Sequence, residues 1–115
     1  MTTALMVMAC AVVEPPAHGP PDDPTWSAAE RGCVQAWYAT RESLTELYED
    51  AGRRVPPWPG VDAALSLCRE LRVDADTAAC LDGPWYAEHV EMCRARFAAH
   101  PAVRVRWNGM FEEVM

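Results

Sequence analysis

Four of the five cysteines in this chain fall where the hydrophobic periodicity marks the buried faces of helices, and they constrain the fold most. They are Cys33, Cys68, Cys80 and Cys93, separated by 34, 11 and 12 intervening residues. Structural zinc sites usually take cysteines in pairs about two to four residues apart, and these spacings contain no such pair. An even number of cysteines on buried faces therefore predicts two disulfides. The alternative is four reduced cysteines in the core of a cytosolic protein.

The pairing that best suits an antiparallel bundle joins Cys68 to Cys80 and Cys33 to Cys93. Cys68 lies near the end of one predicted helix and Cys80 follows the next turn, so two antiparallel helices would bring them level. A last helix that returns along the first would bring Cys93 beside Cys33. A single domain within 115 residues gains only marginal stability from burial, so both cross-links should matter for folding.

The periodicity predicts an all-α fold, a small antiparallel bundle of about four helices stapled by two disulfides, over residues 26–115. The first helix should cover residues 27–50. Ser27 and Glu30 match a capping box at its start, and Gly52 is placed to end it. Its apolar face is expected to carry Ala29, Cys33, Trp37, Thr40, Leu44, Leu47 and Ala51.

Three shorter helices should follow a proline-rich connection. The apolar spacing predicts the second helix within residues 61–71. Asp74 or Asp76 should cap the third. Pro84 suits the first turn of the fourth, which must stop before Pro101 because proline disfavours a helical residue before it.

The tail, residues 101–115, fits two structures. Its apolar residues have the spacing of a helix, which we favour because an isolated hairpin is marginally stable. They also alternate around Asn108 and Gly109, a pair typical of a tight hairpin turn. In that hairpin, Arg104 would face Glu113 across the strands.

The fifth cysteine lies in an apolar N-terminal segment, residues 1–13. Its ten consecutive apolar residues, 4–13, are too few to span a membrane and suit a secretory signal. The stretch around the cysteine reads Val7, Met8, Ala9 and Cys10. It resembles the lipobox of bacterial lipoproteins, and that resemblance implies cleavage before Cys10 and lipidation of its thiol. An ordinary cleavage site, which would release a secreted protein, and a short buried segment of a cytosolic protein are the alternatives.

A proline-rich linker, residues 14–25, follows this segment. Residues 14–24 contain five prolines and almost nothing apolar. Proline fixes an extended backbone, so this stretch is typical of a spacer between a membrane anchor and a domain.

The net charge of −7 argues against nucleic acid as a partner, and against docking on anionic lipid by charge. The charge is typical of a solvated, solubilising surface, and the alternative is a surface that recognises a basic protein partner. Trp58, held among prolines, and the adjacent Trp85 and Tyr86 are the candidate interface residues, because rigid aromatic side chains commonly anchor interfaces.

The sequence contains no phosphate-binding loop, nucleophile elbow or paired-histidine metal motif. We therefore expect no catalytic residues and no cofactor. The function that fits is a non-catalytic protein-interaction or structural module of the bacterial cell envelope, exported and held by a lipid at Cys10. The alternative is a periplasmic metal-binding or sensing protein. It would use His89 and Cys93, one helical turn apart, together with other cysteines.

Overall fold

The computed structural model describes residues 22–115, which form six α-helices and contain no strand. The helices are α1 (Ala28–Asp50), α2 (Val61–Glu70), α3 (Ala75–Cys80), α4 (Gly83–Glu88), α5 (Val90–Ala99) and α6 (Pro101–Glu112). The all-α class and the presence of two disulfides are confirmed, whereas the helices number six instead of about four. The predicted signal segment with Cys10 lies outside the described residues, as does most of the predicted linker.

Helix α1 begins and ends where local sequence signals place its ends. The Ser27 hydroxyl accepts a hydrogen bond from the Glu30 N–H, and the Glu30 carboxylate accepts one from the Ser27 N–H at 2.8 Å. Gly52 follows the helix with φ of 67°, a left-handed conformation that costs glycine little. The expected apolar face is wrong at Leu47, which is 64% exposed, and at Ala51, which is also exposed, because the buried residues of α1 all lie in its first half.

The predicted fourth helix is interrupted at His89, which ends α4 and begins α5. His89 has φ of −134° and ψ of 42°, outside the helical region. Its Nδ1 lies 2.9 Å from the Trp85 carbonyl oxygen; because a carbonyl can only accept, this nitrogen must donate. His100 separates α5 from α6 in the same way, with φ of −139° and ψ of 64°.

Helix α6 runs through the tail and excludes the hairpin alternative. Arg104 and Asn108 lie one turn apart within it, and the Glu113 N–H donates to the Gly109 carbonyl oxygen at 3.0 Å. Val103, Trp107 and Phe111 form the buried stripe of α6. None of the six helices in residues 22–115 is both long enough and apolar enough to cross a membrane.

The helices enclose one core. Helix α1 packs mainly against α3 and α2, α3 also packs against α5, and α6 closes over α2 and α5. Gly32 allows the close approach of α1 to α3, since a Cβ there would lie 3.0 Å from the Ala78 Cβ. Trp37 is buried and donates its Nε1–H to the Pro59 carbonyl oxygen at 3.0 Å, which ties the α1–α2 connection to α1.

The disulfides join Cys33 to Cys68 and Cys80 to Cys93, so the expected pairing is wrong. That pairing assumed a last helix returning along α1. Instead α1 faces α2, which brings the Cα atoms of Cys33 and Cys68 to 6.7 Å, and α5 packs on α3. All four cysteines are buried, from 0% to 3% exposed, so each disulfide lies inside the core it cross-links.

Exposed ion pairs link the helices around this core. Arg69 on α2 reaches the Glu30 carboxylate on α1 at 2.6 Å, and Arg106 on α6 reaches Glu70 on α2 at 3.0 Å. At the end of the predicted linker, Asp22 pairs with Arg31 of α1 at 2.7 Å. Pairs this exposed add about 1 kcal/mol or less each, so they orient the helices more than they hold the fold.

Candidate binding cleft

A half-open cleft of about 270 Å³ lies between α1 and α6, which do not pack extensively against each other. Helices α3, α4 and α5 supply its remaining walls. We call it the α1–α6 cleft. It is lined by Ala39, Thr40, Ser43, Leu44, Cys80, Leu81, Gly83, Tyr86, Phe97, Arg104, Trp107 and Asn108.

The floor of the α1–α6 cleft is apolar and belongs to the core. Leu81, Phe97 and Trp107 are 7%, 8% and 3% exposed, so their side chains are fixed by packing on the other side. The Cys80–Cys93 disulfide lies at this floor through Cys80. A floor held by a cross-link and by core packing presents a preformed apolar surface, and such a surface costs little ordering entropy when it binds a ligand.

The rim is polar. Ser43 and Asn108 are exposed on facing helices, where their side chains can hydrogen-bond to a ligand. Thr40 is half-buried and its hydroxyl donates to the Ala36 carbonyl oxygen at 2.8 Å. Because the hydroxyl proton is used in this hydrogen bond within α1, the Thr40 oxygen can only accept a hydrogen bond from a ligand in the cleft.

Arg104 supplies the only charge that lines the α1–α6 cleft. Its guanidinium carbon lies 5.1 Å from the ring centroid of Tyr86 and 5.2 Å from that of Phe97. These contacts are cation–π interactions, and they fix the guanidinium over two aromatic rings of the cleft. Arg104 forms no ion pair with a carboxylate of residues 22–115. Arg41 and Arg53 also lie over aromatic rings without an ion pair, but they do not line the cleft.

Trp58 fills the space between α1 and α6 about one turn beyond the cleft. Its ring lies 5.6 Å from that of Tyr48 on α1 and 6.0 Å from that of Phe111 on α6. Its Nε1–H donates to the Thr45 hydroxyl at 3.0 Å. The indole therefore acts as a spacer that links the two helices at one end and leaves the cleft between them.

The three candidate interface aromatics have different positions. Tyr86 lines the cleft, stacked 6.1 Å from Phe97, and Trp58 lies just beyond it. Trp85 does not line the cleft: its ring stacks on that of His89 at 3.6 Å and packs against the core. Of these three aromatic residues, only Tyr86 therefore lines the cleft.

Arg104, Ser43 and Asn108 were not identified from the sequence. The sequence pattern marks them only weakly, because Arg104 and Asn108 are polar residues next to the buried stripe of α6, as many surface residues are. Knowing that they line a cleft requires knowing that α6 lies across from α1.

The metal-site alternative loses its Cys93 thiolate in this fold. The Cys93 sulfur is bonded to Cys80, so it is not a thiolate. His89 uses Nδ1 on the Trp85 carbonyl oxygen, and His100 directs Nε2 to the Leu71 carbonyl oxygen at 3.2 Å. Within residues 22–115, no group of three or more His, Cys, Asp or Glu side chains is arranged to hold a metal ion.

Three carboxyl groups have a lowered pKa, and all three lie outside the α1–α6 cleft. Hydrogen bonds from Arg69 and from the Ser27 N–H lower the pKa of Glu30. Hydrogen bonds from the hydroxyl and N–H of Thr77 lower the pKa of Asp74, and those of Thr25 lower the pKa of Asp23. These groups cap and link helices. The cleft itself offers an apolar surface, hydrogen-bonding groups and a cation, which are the means to bind a ligand.

No known protein family, curated protein or solved structure matches this chain.

Proposed function

We propose that this chain is an exported bacterial protein that acts in the cell envelope as a non-catalytic protein-binding module, with the α1–α6 cleft as its binding site. The cleft carries the proposal: a preformed apolar floor beside an unpaired guanidinium and a hydrogen-bonding rim suits recognition of a side chain from a partner. The net charge of −7 favours a partner whose surface is basic.

The two buried disulfides support export, because such cross-links persist in oxidising compartments and are rare in the cytosol. The lipobox-like stretch ending at Cys10 supports anchoring by a lipid, with the proline-rich residues after it as a spacer. The intact mass of the protein from its own host, with and without reductant, tests this. Cleavage before Cys10, added acyl chains and a gain of four hydrogens on reduction are expected. An uncleaved chain with free thiols would refute export.

Site-specific photocrosslinking in living cells tests the binding function. A benzophenone amino acid replaces Ser43 at the rim of the cleft, and in the control it replaces Gln35, an exposed residue of the same helix that does not line the cleft. We expect position 43 to give a crosslinked product of discrete mass that position 35 does not give. Identical product patterns from the two positions, or none from position 43, would refute a binding role for the cleft.

A further inference from the structure

We propose that the α1–α6 cleft binds the C-terminal residue of a partner protein, with a large apolar side chain on the cleft floor and the terminal carboxylate on Arg104. This inference rests on the proposed binding function and specifies the chemistry that the cleft recognises. It depends on the size of the cleft, the state of Arg104 and the short distance between the charge and the apolar surface.

The size of the α1–α6 cleft suits one large side chain. A cavity of about 150 Å³ lined by apolar groups is enough to hold benzene. Pockets for drug-sized ligands are roughly 300–1,000 Å³. At about 270 Å³, this half-open cleft can take one aromatic or branched aliphatic group with the carboxylate attached to it.

The Arg104 guanidinium is available to bind an anion. It forms no ion pair with the carboxylates of the described chain, and it lies over the rings of Tyr86 and Phe97 while its side chain remains exposed. One face of the group is thereby desolvated, which strengthens its interaction with a charge. Arginine presents N–H groups in a planar fork that a carboxylate can accept at two points.

The distances favour a C-terminal residue over an internal acidic residue. The guanidinium carbon is 5.1 Å and 5.2 Å from the ring centroids of Tyr86 and Phe97, so the ligand's negative charge and its apolar group must be close together. A C-terminal residue carries both on one Cα atom. In an extended segment, neighbouring side chains point to opposite faces, so an acidic residue next to an apolar one would deliver only one of the two groups.

The charge of the whole protein adds selectivity. With a net charge of −7, the chain repels free anions at long range, so Arg104 alone would attract them weakly. A carboxylate on the C-terminus of a basic partner avoids this repulsion. The apolar side chain then supplies the short-range interaction that a simple anion lacks.

Fluorescence anisotropy of the mature, oxidised protein with labelled hexapeptides tests the proposal. The peptides share one sequence and end in phenylalanine with a free carboxylate, in phenylalanine amide, or in glycine with a free carboxylate. We expect the first to bind at least tenfold more tightly than either of the others. Equal binding of the acid and the amide would overturn the role of the carboxylate, and equal binding of phenylalanine and glycine would overturn the role of the floor.

Variants of Arg104 locate the site. We expect Arg104→Gln to reduce the affinity for the phenylalanine acid at least tenfold and to remove the preference for acid over amide. Arg104→Lys should keep part of that preference, because it retains the charge and loses the fork. Arg94→Gln is the matched control, since Arg94 is exposed on α5, forms none of the ion pairs among the described residues and does not line the cleft. An equal effect of the two Gln variants would overturn the assignment, provided that circular dichroism shows both folded.

Two further outcomes separate this inference from the function on which it rests. If position 43 gives a specific crosslinked product and the peptide acids do not bind, the C-terminal recognition is wrong while the binding function stands. If octanoate binds with the same dependence on Arg104 and the peptides do not, the ligand is a free amphiphile, and both proposals for a protein partner at this cleft are overturned.

Discussion

The two parts of this domain are held together by different means. The N-terminal hairpin comprises α1, α2 and their connection, residues 28–70; the C-terminal half comprises α3 to α6, residues 75–112. In the hairpin, one helix of 23 residues has a complete capping box and a glycine stop. In the C-terminal half, four helices of 6 to 12 residues follow one another closely, and His89 and His100 each end one helix and begin the next.

This difference indicates which helices are specified by their own sequence and which depend on tertiary packing. Isolated helices shorter than about 12–15 residues are marginal in water, so those of the C-terminal half depend on tertiary packing and on the Cys80–Cys93 disulfide. Helix α1 is specified mainly by its own sequence. The α1–α6 cleft lies where the two parts face each other, with α1 as one wall and the C-terminal half as the others.

Removal of a disulfide should cause the largest losses of stability. Because each part contains one disulfide, the two losses compare how much each part depends on its cross-link. In the loop-entropy description, the cross-link of Cys33 and Cys68, 35 residues apart, contributes about 4 kcal/mol, and that of Cys80 and Cys93, 13 apart, about 3 kcal/mol. We expect the double alanine variants to lose free energy of unfolding in that order, measured by urea denaturation. A larger loss for the shorter loop would show that the C-terminal half depends on its cross-link through more than loop entropy.

Crowding at Gly32 should weaken the contact between the two parts. Valine at this position would place its Cβ 3.0 Å from the Ala78 Cβ, and overpacking of this kind costs about 1–3 kcal/mol. Gly109→Val is the control, because no heavy atom lies within 4 Å of the position that its Cβ would take. We expect Gly32→Val to lower the melting temperature by several degrees and Gly109→Val to leave it almost unchanged. Equal shifts would contradict a close approach of α1 to α3.

Substitutions at the C-terminal ends of α1 and α2 should change the stability less. The same left-handed turn is occupied by Gly52 after α1, with φ of 67°, and by Arg72 after α2, with φ of 52°. Gly52→Ala should lose about 1 kcal/mol, because a side chain is disfavoured there. Arg72→Gly should gain less than about 1 kcal/mol, because glycine relieves the same cost but increases the entropy of the unfolded chain. Thermal unfolding of both variants measures this, and a destabilised Arg72→Gly would contradict it.

The smallest expected effect is a dependence on acid pH. The pKa values of Glu30 in the hairpin and of Asp74, which caps the first helix of the C-terminal half, are lower in the folded state than their ordinary values of 4.5 and 3.8. Protonation therefore favours unfolding: the stability they contribute is present above those ordinary values and is lost as the pH falls through the lowered ones.

Melting temperatures measured from pH 6 to about pH 2 test this dependence. We expect Glu30→Gln and Asp74→Asn each to flatten the acid limb of the profile relative to the wild type. The variant with the flatter acid limb identifies the part of the domain whose carboxylate contributes more to the acid sensitivity of stability. If both profiles match the wild type, these two carboxylates do not contribute to the acid sensitivity.

Predictions from local signals agreed better with the structure than predictions that depended on helix arrangement. The capping box at Ser27 and the stop at Gly52 are observed, and of the two predicted caps for the third helix, Asp74 and Asp76, the structure has Asp74. The break at His89 was missed because histidine is not a helix breaker and the apolar spacing continues across it. The cysteine pairing was wrong because it required knowledge of which helices face each other.

Most residues of the α1–α6 cleft could not be predicted from local sequence patterns. Tyr86 was identified as a candidate interface residue because it follows another aromatic residue and both could not face inward. Arg104 was not, because an arginine beside a buried stripe usually has no role beyond solvation. Its guanidinium lies over the rings of Tyr86 and Phe97, which belong to two other helices.

The sequence by itself determined the helical class, the cross-linking by four cysteines and the ends of α1, because these depend on hydrogen bonds and spacing within a few residues. Only the tertiary structure decided which cysteines pair, where the long fourth helix breaks and which arginine lines the cleft between α1 and α6. Those features depend on contacts between residues far apart in the chain, and such contacts exist only once the helices have packed.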